Sequence, residues 1–194
     1  MAVCETMMSL LARNLGRRIL VFTETYPFFV IGVIVVVRQG VLVVKVEEGV
    51  PIQLVGRSFR ITLTNLVAFW IEDDEHPIPS LNSIKPTLSL DGGALDEDDA
   101  DGGPSIRMSL KDLECRTILF VLLPEMLFIL GQSFRPIMVA RLARVQQDFC
   151  LLTGVNIRFS SAPEWIFPTP LYVPTDQIGV FLPFRRGILF PLTL

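Results

Sequence analysis

The stretch VVVRQGVLVV (Val35–Val44) aligns without a gap on ARVQQDFCLL (Ala143–Leu152), and FRITLTNLVAFW (Phe59–Trp70) aligns on LYVPTDQIGVFL (Leu171–Leu182). An internal repeat decides architecture before residue chemistry does, because neighbouring copies bury surface that neither buries alone. Two β-rich units are therefore expected, one on each side of an acidic spacer. A unit of roughly 70 residues is near the lower size at which a single core suffices, and packing two together relieves that limit.

The chain has 194 residues, 51% of them hydrophobic, and a mean hydropathy of +0.52. This apolar excess raises the question of a membrane. The run from Tyr26 to Val37 is dominated by β-branched residues and stops at Arg38, and the run from Thr117 to Leu130 is interrupted by Pro124 and Glu125. Both fall short of the ~20 residues that a spanning helix needs. Buried strands, or a buried helix for the second run, are expected instead. The opening MAVCETMMSLLARNLGRR has no basic leader ahead of an apolar core, so no secretory signal is read there. Cys4, Cys115 and Cys150 are odd in number and widely spaced, which suits neither a disulfide framework nor a zinc site.

Charge is segmental. Residues 1–71 carry seven basic and four acidic groups, residues 72–104 one and ten, and residues 105–194 nine and six. Two mildly basic lobes thus flank a strongly acidic connector. The division expected is a first unit at 1–72, a Pro/Gly-rich acidic spacer at 73–104, a second unit at 105–183 and an apolar tail at 184–194.

Along the chain, ETMMSLLARNL (residues 5–15) places Met8, Leu11 and Leu15 at helical spacing, with Gly16 placed to stop a short amphipathic helix. Strands are then expected in RILVFTE, FFVIGVIVVVRQ, GVLVVKVEEG and SFRITLTNLVAFWIE, broken at Tyr26-Pro27, at Gln39-Gly40 and around Gly49–Gly56. The near-continuous apolar run of the second strand predicts burial on both faces, and Gly32 within it predicts a bend or bulge. The spacer is too polar to offset chain ordering and is expected to be irregular and exposed. Residues 106–133 read either as strand, loop and strand or as a helix broken near Pro124. IRMSLKDLEC (Ile106–Cys115) resembles FRITLTNLVA, as a third half-copy or by chance.

LLARNLGRRILV (Leu10–Val21), GVIVVVRQGVLV (Gly32–Val43) and ITLTNLVAF (Ile61–Phe69), with ARLARVQQDFCLL (Ala140–Leu152) and YVPTDQIGVF (Tyr172–Phe181) in the second copy, resemble small bacterial Sm-like proteins. The resemblance is to a pattern, covers about two thirds of the chain, and leaves an SH3-like small barrel open. It implies an all-β protein of two tandem Sm-like or SH3-like barrels packed together, each a strongly bent five-stranded antiparallel sheet, with a short N-terminal helix ahead of the first. It also implies assembly through edge strands, a behaviour that exposed edges favour on physical grounds. The family's RNA-reading Asp and Asn fall on Arg38 and Leu42, and in the second copy on Gln146 and Cys150, so the nucleotide pocket is expected to be absent. Arg17, Arg18, Arg57 and Arg60 remain the candidate phosphate contacts of a nucleic-acid-binding alternative.

Other chemistry is thinly supported. His76, beside Asp73, Asp74 and Glu75, reads as part of a solvated acidic turn rather than a general base. Glu97, Asp99, Asp101 and Gly102 imitate the start of a calcium loop, but position eight would be Pro104 and position twelve Met108, where an acidic ligand is required. A calcium-dependent coat component is the weakest alternative. Trp165 and Phe167 lie in the proline-bounded SAPEWIFPTP, expected as a loop whose aromatics either contact a partner or plug a barrel mouth. The tail FRRGILFPLTL offers Ile188, Leu189, Phe190 and Leu192 for strand addition to a neighbour or for packing on its own unit. The function expected is therefore a non-enzymatic scaffold without cofactor or metal that forms a homo-oligomer, as ring, fibre or coat.

Overall fold

The computed structural model describes residues 5–24, 29–50, 52–80, 109–124, 127–129, 132–134, 137–157, 165–167 and 170–184. Among these residues the protein is all-β, with a single α-helix. Helix α1 (Met7–Arg13) opens it, capped by Thr6, whose hydroxyl accepts from the Ser9 N–H while the Ser9 hydroxyl accepts from the Thr6 N–H. Gly16, at φ +82°, turns the chain out of the helix. The buried face is Met7, Leu10 and Leu11, whereas Met8 is 46% exposed and Leu15 lies outward too. The face expected from Met8, Leu11 and Leu15 is thus rotated by about one residue, which the doublets Met7-Met8 and Leu10-Leu11 permit.

Strands β1 (Arg18–Thr23), β2 (Phe29–Arg38), β3 (Val41–Val50), β4 (Ser58–Thr62) and β5 (Leu66–Ile71) follow. Gln39 and Gly40, both at positive φ, make the two-residue turn between β2 and β3. SFRITLTNLVAFWIE is two strands rather than one. A 3-10 turn at Leu63–Asn65 lets the chain leave β3, which β4 pairs, for β1, which β5 pairs. Burial on both faces holds for β1 and β5, but in β2 only for its first half, since Val35 and Val36 are exposed. A Cβ at Gly32 would meet the Lys45 carbonyl oxygen 2.2 Å away, so the bulge there requires glycine.

Of residues 106–133, those described hold a 3-10 turn and then strands. β6 (Thr117–Leu122) precedes a small separate hairpin of β7 (Leu127–Ile129) and β8 (Gln132–Phe134), and β9 (Ile137–Val145) and β10 (Phe149–Ile157) follow. Trp165–Phe167 is not loop but a short strand, β11, paired with β10. β12 (Leu171–Pro174), a 3-10 turn at Thr175–Gln177 and β13 (Ile178–Pro183) complete the described chain.

The strand order is β13-β6-β9-β10-β12-β5-β1-β2-β3-β4, with β11 beside β10 off this path. Within it the order β5-β1-β2-β3-β4 recurs as β13-β6-β9-β10-β12. Registers recur too. Val21↔Phe69 has its equivalent in Phe120↔Phe181, Ile19↔Gly32 in Ile118↔Ala140, and Val43↔Arg60 in Leu151↔Tyr172. Connecting hydrogen bonds follow suit: Gly16 N–H to Ile34 O matches Cys115 N–H to Leu142 O, and Leu63 N–H to Gly40 O matches Thr175 N–H to Asp148 O.

Two tandem small barrels packed together were expected; among the described residues both strand sets instead lie in one open sheet, with the β7–β8 hairpin apart. The physical reason is the pairing of β12 with β5, which joins the two sets edge to edge and leaves β4 and β13 at the ends. The 3-10 turn at Leu110–Leu113, within the fragment likened to FRITLTNLVA, stands before Cys115 where α1 stands before Gly16. Of the spacer, residues 73–80 are described. They carry no helix or strand, yet Ile78 is buried and its carbonyl accepts from Arg18. The rest of the spacer, with the calcium-like run, lies outside the described residues.

Candidate assembly edges

The junction between the two sets joins stacked aromatic rings to side-chain hydrogen bonds from distant parts of the chain. Tyr172 of β12 faces Phe69 of β5 in register, and their rings stack with centroids 5.2 Å apart and planes 10° from parallel. Phe149 of β10 leans on Tyr172 at 5.9 Å. Both second-set aromatics join the core formed by α1 and the first set. Burial, and then the negative charge of Asp73, raise the Tyr172 hydroxyl above its usual pKa.

A second lock comes from the helix. The Met7 N–H donates to Asp148 Oδ1 at 2.7 Å, the Glu5 N–H to Gln146 Oε1 at 3.0 Å, and the Gln147 N–H to the Glu5 carbonyl at 3.2 Å. The β9–β10 turn thereby satisfies amides that a helix start leaves without intrahelical partners. Sequence reading missed Asp148 and Gln146. A carboxylate in a turn is ordinary, and its partner lies in a segment far off in the chain.

The faces of the central strands divide the core. Leu20, Phe22, Ile31, Ala68 and Trp70 turn toward a cluster shared with the second set, while Ile19, Val21, Phe69 and Ile71 turn toward the cluster under α1. A third, smaller cluster holds Leu119, Val139 and Phe184, with Val121, Ile137 and Leu182 against it. Phe184, placed with the apolar tail in the sequence reading, thus packs on its own set; Ile188, Leu189, Phe190 and Leu192 lie outside the described residues. Trp165 and Phe167 occupy β11, and their backbone pairs with Ile157 and Val155.

The four arginines do not converge. Arg18 is held by Glu47 at 2.9 Å and Glu72 at 3.0 Å, with Glu48 at 3.8 Å. Burial lowers its pKa, but the hydrogen bonds and charges of Glu47 and Glu72 outweigh this and raise it above the usual value. Arg17 and Arg18 line an open cleft with Glu72, Asp73 and Asp74, an acidic setting for a phosphate. Arg57 and Arg60 are exposed at and before β4, separated from β1 in the sheet by β2 and β3.

His76 lies 2.9 Å through Nδ1 from Asp73 Oδ1, which also accepts from the backbone N–H of Glu75 and His76. Burial pushes the Asp73 carboxyl up, but these hydrogen bonds hold it below its usual range. The arrangement is an Asx-type turn. Burial drives the Cys150 thiol up to about 12, far from a nucleophile's range. Among the described residues no group of three or more His, Cys, Asp or Glu side chains is placed to hold a metal ion, and no helix is long and apolar enough to cross a membrane.

No protein-family model matches this chain, and no curated protein is significantly similar to it.

Proposed function

We propose that the protein is a non-enzymatic scaffold that self-associates through the edges of its sheet, each strand set being an Sm-like unit. The observation carrying this reading is the β5·β12 junction. The chain already joins two like sets of strands edge to edge, and the matching edges, β4 and β13, stand at the ends of the strand order. An end strand presents backbone donors and acceptors that a further strand can take up. Apolar contact adds to it, since Val180 on β13 and Leu123 beside it are large exposed hydrophobics.

Light scattering of the purified full chain over a concentration series, with negative-stain imaging, tests the proposal. The expected result is a particle of several copies whose mass rises with concentration to a plateau or a filament. A monodisperse monomer across the series overturns it.

A further inference from the structure

One face of the first set's long hairpin combines aliphatic side chains with cations that no described carboxylate neutralises. Val37, Leu42, Val44 and Ile61 turn toward the core under α1. Residues alternating with them turn away, because successive side chains of a strand point to opposite faces. Val36, Val43 and Arg60 therefore form one outward row across β2, β3 and β4. Val35, set in the bulge beside them, is 47% exposed, and Val36 is 42% exposed. On the same side Arg38 stands two residues from Val36, toward the hairpin turn, and Lys45 stands two residues from Val43, away from it. Three exposed cations thus lie within roughly 10 Å of Val43. Among the described residues none of the three has an ion pair.

The strand itself does not require valine here. The gapless alignment of the two sets places Arg144 where Val36 stands, and Arg144 is exposed. A guanidinium suits that position, so the exposed valines add apolar surface for which strand formation gives no need.

We propose that this face docks an acidic polypeptide segment of another protein, whose aliphatic side chains meet Val35, Val36 and Val43 and whose carboxylates meet Arg38, Lys45 and Arg60. An apolar centre within a charged rim is the build of a protein interface. The contact is separate from edge association, because β2 and β3 already have a neighbour on each side and no strand is added. The face is also polarised. At its β1 end Arg18, opposite Val33 in register, gathers Glu47, Glu48 and Glu72. An anionic bilayer would meet these carboxylates together with the cations, whereas a short segment engages the cationic end alone. The row of Val36, Val43 and Arg60 holds no aromatic ring on which a base could stack, which sets nucleic acid aside.

Fluorescence anisotropy with a labelled decapeptide of glutamate and valine in alternating pairs tests this on the full chain. Extended, such a peptide presents both residue types on each side at the ~7 Å spacing of the face. The expected result is saturable binding that weakens with salt and disappears when glutamine replaces the glutamates. Arg38→Gln, Lys45→Gln and Arg60→Gln are each expected to weaken it by up to about fivefold, the range of an exposed ion pair. Val35→Thr combined with Val36→Thr is expected to weaken it about threefold. Arg144→Gln, at the matching position of the second set, should leave it unchanged.

Circular dichroism checks that each variant is folded, and the charge variants decide the matter should the valine pair unfold. No binding up to about 1 mM peptide overturns the proposal. So does unchanged binding in Arg38→Gln, which lies on β2 and would be indifferent to a peptide added along the β4 edge. Tighter binding of phosphatidylserine vesicles or of single-stranded RNA, lost in the same variants, also overturns it. Binding that appears only when Glu97→Gln, Asp98→Asn and Asp99→Asn are combined would give the face to the chain's own spacer and overturn an outside partner. A monomeric wild type in light scattering removes edge association and leaves each of these expectations as it stands.

Discussion

β5 and β13 occupy the same place in the two strand sets, each paired at matching positions with the first strand of its set. Their sequences, LVAFWI and IGVFLP, are both apolar. Every residue of β5 is buried, whereas Gly179 and Val180 of β13 are exposed and the others half-buried. The difference is the second neighbour, since β5 has β12 on its outer side and β13 ends the strand order. A strand buried on both faces needs a continuing sheet as much as it needs apolar residues.

The comparison breaks most directly at its two phenylalanines. Phe69→Ala removes a fully buried ring and the stack on Tyr172, and is expected to cost about 3–5 kcal/mol in a urea titration. Phe181→Ala, at the matching position, is expected to cost about 1–2 kcal/mol, because its ring is already partly exposed. Equal losses would mean that the outer neighbour contributes nothing to the burial of β5.

A middle-sized effect is expected at the latch. Asp148→Ala leaves the Met7 N–H without its charged acceptor and is expected to cost about 1.5–3 kcal/mol, with Asp148→Asn recovering part of it. Hydrogen exchange at the amides of α1 should rise in the alanine variant. Unchanged exchange would show that α1 is held by its apolar face alone.

The smallest expected effect is the pH dependence of Tyr172. Its folded pKa is raised above the usual value of 10.0. The neutral phenol is therefore favoured in the folded state, so its contribution is fully present below about pH 10 and is lost as pH climbs through the raised value. Unfolding midpoints measured from pH 8 to 11 should fall at the alkaline end, less so in Tyr172→Phe. An identical decline in both proteins would assign the effect to other groups.

Much of the strand set was legible because β-branched runs between turn residues leave little choice. Val30–Val37 and Val41–Val46, with Gln39-Gly40 between them, give a hairpin whose register the structure places where the turn requires. The face of α1 was not legible, since Met7 and Met8 satisfy the same periodicity and only docking selects one. Strand partners were not legible either. The pairing of β12 with β5 rests on main-chain hydrogen bonds common to any strand, and its one specific mark, Tyr172 opposite Phe69, takes meaning only once the two strands are side by side. The candidate edges were visible as an apolar excess, but which strands formed them depended on the order in the sheet.

The bond from Met7 to Asp148 spans a sequence separation of 141 residues. On a chain made from its N-terminus, α1 and the outer edge of β5 are finished long before β10 and β12 leave the ribosome. For that interval the nascent first set carries an uncovered apolar edge of its own, and another nascent chain can supply the missing strand before the proper one arrives. Slow closure of such distant contacts favours exchange between neighbours. The same feature that completes the finished molecule thus makes the order of synthesis a hazard, with strand exchange between polysome neighbours the form of misassembly most expected.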